Sequence, residues 1–305
     1  MSKDELSVET RGRHPKKIGD RIIEDIAAKR ICHVYGIFGE TGGGKTHQTK
    51  IEAHAYAKTV PGVRNGEKVL VFDTNGEYLQ KDGFTTISLH HVEMLQNVGL
   101  YRVNARGWSD EEKKAGALLC AKKFKRGLYV VDDIDKWAPF ETNKEFTSLM
   151  MGGRHEGVDL ALSHQSLDMG TTIFYRNALS IRLHNQASNL AALKSKAEKH
   201  LPILQISENI VNKQYELGNY RFFVTINLRK KKIFGVPLSH KNAFMHACKM
   251  YLISNPGLVK EAAVELVAEN KLKHADMNRE KGKNMAFQQA LNKLDFFYGV
   301  GDFHQ

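Results

Sequence analysis

The chain has 305 residues, with 45 Lys plus Arg against 34 Asp plus Glu and a formal charge of +11. That length holds one large or two modest domains, and the positive balance favours a polyanionic partner such as nucleic acid over an acidic one. Cys32, Cys120 and Cys248 lie far apart without CxxC spacing, which argues against a disulfide framework or a zinc knuckle and fits a reducing cytosol. The polar first residues and the lack of any run near the ~20 apolar residues of a membrane span lead us to expect a soluble protein.

In chain order, a short helix is predicted over residues 19–30, with Ile22, Ile23, Ile26 and Ala27 on one face. The apolar run 31–38 reads as a strand and leads into GETGGGKT at residues 39–46. Gly39, Glu40, Thr41, Gly42, Gly43, Gly44, Lys45 and Thr46 form a Walker A phosphate loop in its strand–loop–helix setting. The glycines let backbone N–H groups turn inward, Lys45 reaches the β and γ phosphates, and the Thr46 hydroxyl can ligate Mg²⁺. The helix that follows adds its positive end and is stopped by Pro61 and Gly62. The implied ligands are ATP and Mg²⁺.

Residues 68–73 (KVLVFD) predict a buried strand, with weaker strands over 85–89 and 100–104. Ser109 and Glu112 form a capping box for a helix that ends near Lys125 and is broken by Gly127. Further strands are predicted over 128–131, 158–163 and 179–183. Residues 220–227 and 232–236 read as a terminal hairpin with Arg229, Lys230, Lys231 and Lys232 at its turn. From 239 onward the pattern is charged and helical, and Leu258, Ala262, Leu266 and Ala268 predict an amphipathic helix. The order is α/β with a mainly parallel sheet.

The segment LYVVDD at 128–133 buries a strand and delivers two carboxylates at its C-terminal edge, the site edge of open α/β sheets. As a Walker B element, Asp132 would hold Mg²⁺, and Asp133 would orient or deprotonate the attacking water. At the end of strand 158–163, the neutral amide of Gln165 suits sensing of the γ-phosphate, whereas His164 is read as structural. Arg154 in GGRHEG has the flanking glycines to reach a subunit boundary as an arginine finger. The fourteen histidines, including His90, His91, His240 and His246, show no Cys or Glu partner at zinc spacing and are read as structural.

Together GETGGGKT, VLVFDTNGEY (69–78), LYVVDD and GRHEGVDLALSHQS (153–166), followed by RNALSIRLHN (176–185), resemble the FtsK and HerA superfamily over about residues 31–236. The resemblance implies a RecA-like (ASCE) P-loop core at 31–238, after an N-terminal arm at 1–30 and before a helical extension at 239–305. Residues 1–30 are too few for the β-barrel typical of HerA proteins, and the pattern is most similar to the genome-packaging ATPases of tailless icosahedral, double-jelly-roll viruses. It implies ATP hydrolysis in a homo-oligomeric ring, a hexamer, that pumps DNA into a capsid through phosphate contacts indifferent to sequence. Catalysis would use Lys45, Asp133, Gln165 and Glu77, with Arg154 acting from the neighbouring subunit. Asp73 and Glu77 would lie near the nucleotide. The tail is expected on its own core or a neighbour, with a capsid or portal vertex as the sharper alternative, and the protein in the host cytoplasm or at the packaging vertex of the virion. Lys122, Lys123, Lys125, Arg126 and the 229–232 cluster could contact DNA or form solvated basic faces. A DNA-transfer motor of a mobile element and a slowly hydrolysing, nucleotide-gated assembly protein stay open. A small-molecule phosphotransferase is disfavoured by the blocks around Glu77 and Gln165.

Overall fold

The structure is a computed structural model that describes residues 33–61, 65–137, 157–235 and 241–299. The helix expected at 19–30 and the expected finger Arg154 lie outside the described residues. Among the described residues, the central feature is a sheet of nine strands in the order β3-β4-β2-β5-β6-β1-β7-β8-β9. Its strands are β1 (Val34–Phe38), β2 (Val69–Asp73), β3 (Thr85–Thr86), β4 (Leu100–Asn104), β5 (Gly127–Val131), β6 (Val158–His164), β7 (Ala178–Leu183), β8 (Val224–Asn227) and β9 (Lys232–Phe234). Strands β1 to β7 run parallel, and the hairpin β8–β9 adds antiparallel pairs on the β7 side. Strand β6 lies between β1, which feeds the phosphate loop, and β5, which carries the acidic pair. This is the RecA-like arrangement expected from the sequence.

Strand alternation divides the core in two. Ile37, Val69, Val71, Leu128 and Val130 face one side of the sheet with Ala53, Tyr56, Tyr78 and Phe84. Phe38, Leu70, Phe72, Tyr129 and Val131 face the other. Both faces are covered, which is why these strands read as unbroken apolar runs. Helix α1 (Lys45–Ala57) covers the first face, and helix α2 (Asp110–Lys123) contributes Ala117, Leu118 and Cys120 to the second. The predicted cap is present: the Ser109 hydroxyl accepts from the Glu112 N–H at 3.3 Å, and the Glu112 carboxylate accepts from the Ser109 N–H at 2.8 Å. The strand expected over 85–89 is shorter, because residues 89–94 turn into a 3₁₀ segment.

After β6 come α3 (Thr172–Asn177), α4 (Leu190–Ala197) and α5 (Leu201–Glu216). The C-terminal part folds into α6 (Lys241–Ser254), α7 (Pro256–Ala268) and α8 (Glu280–Tyr298). Phe244, Ala247, Cys248, Tyr251, Leu252, Ala262, Leu291 and Leu294 from these helices belong to the same cluster as the sheet residues of the second face. The tail therefore docks on its own core. In α7, Ala262 and Leu266 are buried and Leu258 half-buried as predicted, but Ala268 is exposed because a step of two residues turns it off the stripe. No helix among the described residues is long and apolar enough to cross a membrane. Cys120 and Cys248 are buried thiols that burial pushes up to about 12.

Phe244 is fully buried in the shared cluster. Phe244→Ala is expected to lower stability by about 3–5 kcal/mol. In urea unfolding followed by Trp108 and Trp137 fluorescence, the midpoint should fall, although both reporters sit far from the tail in sequence.

Candidate active site

Helix α1 has a weakly apolar sequence, and its buried positions Lys45, Thr49, Glu52, Ala53 and Tyr56 are largely polar. It is anchored at both ends by groups from the sheet. Near its C-terminus the Tyr56 hydroxyl donates to Asp159 at the start of β6 (2.7 Å), which also accepts from the His33 N–H (2.7 Å). Burial pushes the Asp159 carboxyl up to about 7 despite these bonds. Near its N-terminus Arg182 of β7, 4% exposed, donates to the Thr49 hydroxyl at 2.5 Å and to the Lys45 carbonyl at 3.2 Å, and forms an ion pair with Glu52.

The phosphate loop leaves β1 through Gly39, Gly42 and Gly44, all at positive φ. Gly44 caps α1 in the left-handed region without a side-chain bond, so the first N–H groups of the helix stay available to an anion. The loop rests on neighbouring strand ends: the Gly39 N–H donates to the His164 carbonyl (3.2 Å) and the Glu40 N–H to the Asn185 carbonyl (2.9 Å). Glycine is required at 39, because a Cβ there would fall 2.6 Å from the Cβ of His184. His184 is fully buried, and burial, then the charges of Arg182 and Lys45, hold its imidazole well below the usual range, hence neutral.

Lys45 is buried and donates to the Gly39 carbonyl, with Asp133 at 3.9 Å. Burial pulls its pKa down, opposed by Asp133 and Asp132. Asp132 is 3% exposed, and its Oδ2 has no hydrogen-bond partner among the described residues. Burial, then the charges of Asp133, Asp73 and Glu77, push its carboxyl up to about 8. An orphaned buried carboxylate oxygen beside a phosphate loop is the donor a hard cation would satisfy. Thr46 completes that fit, its hydroxyl donating to Glu77 Oε2 at 2.5 Å. No group of three or more His, Cys, Asp or Glu among the described residues forms a metal cage, so Mg²⁺ here would draw its other ligands from phosphate and water.

Asp133 differs from its neighbour. It sits in the left-handed region at φ 43° and accepts from Lys136 Nζ (2.6 Å) and Asn75 Nδ2 (2.9 Å). Burial raises its pKa, but these bonds and the Lys45 charge outweigh that and hold it below the usual carboxylate range. Asp73 is fully buried and accepts from the N–H groups of Gly76, Glu77 and Tyr78 and from Arg102 Nη1 at 2.7 to 3.1 Å. It acts through the 74–78 turn, which it folds so that Glu77 meets Thr46.

Gln165 is half-buried at the end of β6, and its N–H donates to Asp135 Oδ2 at 2.7 Å. Asp135 Oδ1 also meets His164 Nδ1 at 2.6 Å, and the His164 ring stacks on Phe38 with centroids 4.8 Å apart. His164 is thus structural, as expected. The sequence reading did not find Arg182, Glu52, His184, Asn75, Lys136 or Asp135 as members of this site. The charge of Arg182 inside the apolar run LSIRL was a visible signal for one of them.

With this geometry in place, family comparison gives a direct result: residues 26–117 match the family described as Helicase HerA, central domain. Over that stretch the chain resembles the FtsK/HerA-type ATPases. The matched stretch carries the phosphate loop, β2 and the Asp73–Glu77 turn. Among solved structures, the protein is similar to the genome packaging NTPase B204 of Sulfolobus turreted icosahedral virus 2 in complex with AMP. That match has 18% identity, a TM-score of 0.47, and covers 66% of this chain and 95% of the other. The B204 complex with AMPPCP gives 17% and 0.46 over the same shares. The N-terminal domain of zonular occludens toxin from Neisseria meningitidis gives 14% and 0.30, covering 52% of this chain and 78% of the other. None of these likenesses assigns a role to a residue of this chain. No curated protein matches it.

Two outcomes follow from the buried charges. Between about pH 4 and 8 native Asp132 keeps a proton that the unfolded chain has lost, so its contribution to stability falls as pH rises through that window and levels off above it. Asp132→Asn should flatten the profile and raise the thermal midpoint at pH 8 by about 5 °C, while hydrolysis is lost. Arg182→Ala should cost about 3–5 kcal/mol in denaturant unfolding, since it strands the buried Glu52.

Proposed function

We propose that the protein is an ATP-driven DNA translocase that hydrolyses ATP in a hexameric ring, in the setting of the viral genome-packaging ATPases its sequence resembles. The observation that carries this reading is the convergence of Asp132, Asp133 and Glu77 on Lys45 and Thr46 of the HerA-type segment. Lys45 and the N–H groups at the start of α1 hold the phosphates. Thr46 and Asp132 would hold Mg²⁺, which when bound screens the charge of the phosphate oxygens. Glu77 takes the proton of the attacking water, because Asp133 is already engaged by Lys136 and Asn75 and is a weak base. Asp133 and Gln165 orient that water, and Arg154 completes the pocket from the next subunit.

The placement of basic residues supports a polyanion at a distance from this chemistry. Lys122, Lys123, Lys125 and Arg126 immediately precede β5, and Arg229 to Lys232 turn from β8 into β9. With β5 parallel to β1 and β8 antiparallel to β7, both clusters fall at the sheet edge opposite the phosphate loop. Lys123 is partly engaged by Glu93 at 3.2 Å, whereas Lys122, Lys125, Arg126, Arg229, Lys230 and Lys231 are exposed. DNA gripped there through its phosphates would be bound without regard to sequence and more weakly as salt rises. The C-terminal helices offer the exposed Phe296 and Phe297 toward a capsid or portal vertex. The work would take place in the host cytoplasm or at the virion's packaging vertex.

The weak basicity of Asp133 also favours a second reading, a nucleotide-gated assembly protein with slow turnover. The two separate in an ATPase assay with and without duplex DNA at low salt: a translocase is stimulated, and an unresponsive wild type refutes it. Glu77→Gln is expected to lower turnover about 10²–10⁴-fold, and Asp133→Asn less than Glu77→Gln. Lys45→Ala and Arg154→Ala should each be inactive alone and regain activity when mixed. No recovery in the mixture, with Arg154→Ala active by itself, removes the trans role of Arg154.

A further inference from the structure

The segment between α5 and β8 reaches the phosphate loop. A Cβ on Gly44 would lie 3.3 Å from Arg221 Cγ and 3.6 Å from its Cα and Cβ, so the stem of Arg221 lies against the residue that caps α1. Arg221 is exposed, and among the described residues no ion pair engages it. Its backbone is held firmly. Gly218, at φ 88°, donates to the Tyr215 carbonyl (3.0 Å), Asn219 to the Gln214 carbonyl (3.0 Å), and Phe222 to the Asn219 carbonyl (2.9 Å). The Asn219 side chain donates to the buried Gln214 amide oxygen at 2.6 Å. Phe223 packs on His184, centroids 5.3 Å apart, and His184 in turn backs Gly39.

We propose that Arg221 is a phosphate ligand supplied from within the same subunit, reading the polyphosphate of the nucleotide in the loop of residues 39–46. The inference deepens the ATPase reading and rests on it. Three observations carry it together. The arginine is placed against the loop's anion-binding end, its backbone is pre-set by the turn, and its charge has no competing partner among the described residues. A guanidinium forks onto two phosphate oxygens where an ammonium makes a point contact. Lys45 is buried and drawn toward Gly39 and Asp133, and Lys136 is engaged by Asp133. A second, exposed cation there would let each subunit hold nucleotide before a neighbour closes over it.

The test is calorimetric titration of the full chain with ATP, ADP and inorganic pyrophosphate, the last carrying phosphates without a base. Arg221→Ala should weaken all three by about 10- to 100-fold, and Arg221→Lys should recover part of the loss. Thermal unfolding curves matching the wild type confirm the fold, and Arg221→Gln is read in its place if the alanine variant fails to fold. Arg221→Ala binding within about twofold of wild type while Lys45→Ala binding is lost overturns the inference and leaves the phosphate loop intact. Loss for ATP without loss for pyrophosphate overturns it as well, since Arg221 then reads the base or ribose. If Lys45→Ala and Arg221→Ala both bind normally, the nucleotide site itself is wrongly placed.

Discussion

The buried charge cluster of Arg182, Glu52 and Thr49 is the interaction on which the site depends. Helix α1 carries little apolar surface and would dock loosely by hydrophobic burial alone. An arginine near the C-terminal end of β7 instead fixes its first turns, bonding one side chain by charge and reaching the Lys45 carbonyl directly. The phosphate loop begins where this anchor ends, so the position of Lys45 is set by a residue more than a hundred positions later in the chain. Such a buried pair has a desolvation cost that can match its attraction, and its value here is geometric.

Above that anchor the strand ends collect an excess of negative charge. Asp73, Asp132, Asp133 and Glu77 come from two adjacent strands and one turn, and they are not equivalent. Asp73 is saturated by backbone donors and Arg102, and Asp133 by Lys136 and Asn75, so both are tied to the protein. Asp132 has a bare buried oxygen, and Glu77 is exposed against Thr46. The division separates carboxylates that build the site from those that can meet a cation or a water. Burial and mutual repulsion keep Asp132 poised to gain from a positive partner.

Much of this was legible in the sequence, for local reasons. Strand β4 was read at its observed bounds, and Ser109 with Glu112 closed the cap it announced, because both depend on contacts within a few residues. Lys45, Thr46 and Asp132 were singled out because a phosphate loop and an acidic strand end have fixed spacing, and the fold brings them to the same end of the sheet. Glu77 came through resemblance, and the structure supplies the reason for its placement in the three backbone bonds to Asp73. Ala268 was misplaced because a helical stripe was extended by a step that the helix turns away from the core. Asp135 follows the acidic pair by two residues and carries no motif of its own. It holds the backbone of Gln165, a contact between separate strands that no spacing reveals.

The sequence by itself determined the ligand class, the α/β order and the parallel sheet, since phosphate loops, capping boxes and buried strands are written in neighbouring residues. Tertiary structure decided which of several chemically identical carboxylates is free, which helices share the sheet's core, and which edge carries the basic clusters. Those properties arise from burial and from strand order, and chain-distant groups set both. Arg182 beneath the loop and Arg221 beside it are ordinary arginines in the sequence. Only the folding of β7 and the turn before β8 against α1 gives one a structural charge to satisfy and the other an open face toward the phosphate loop.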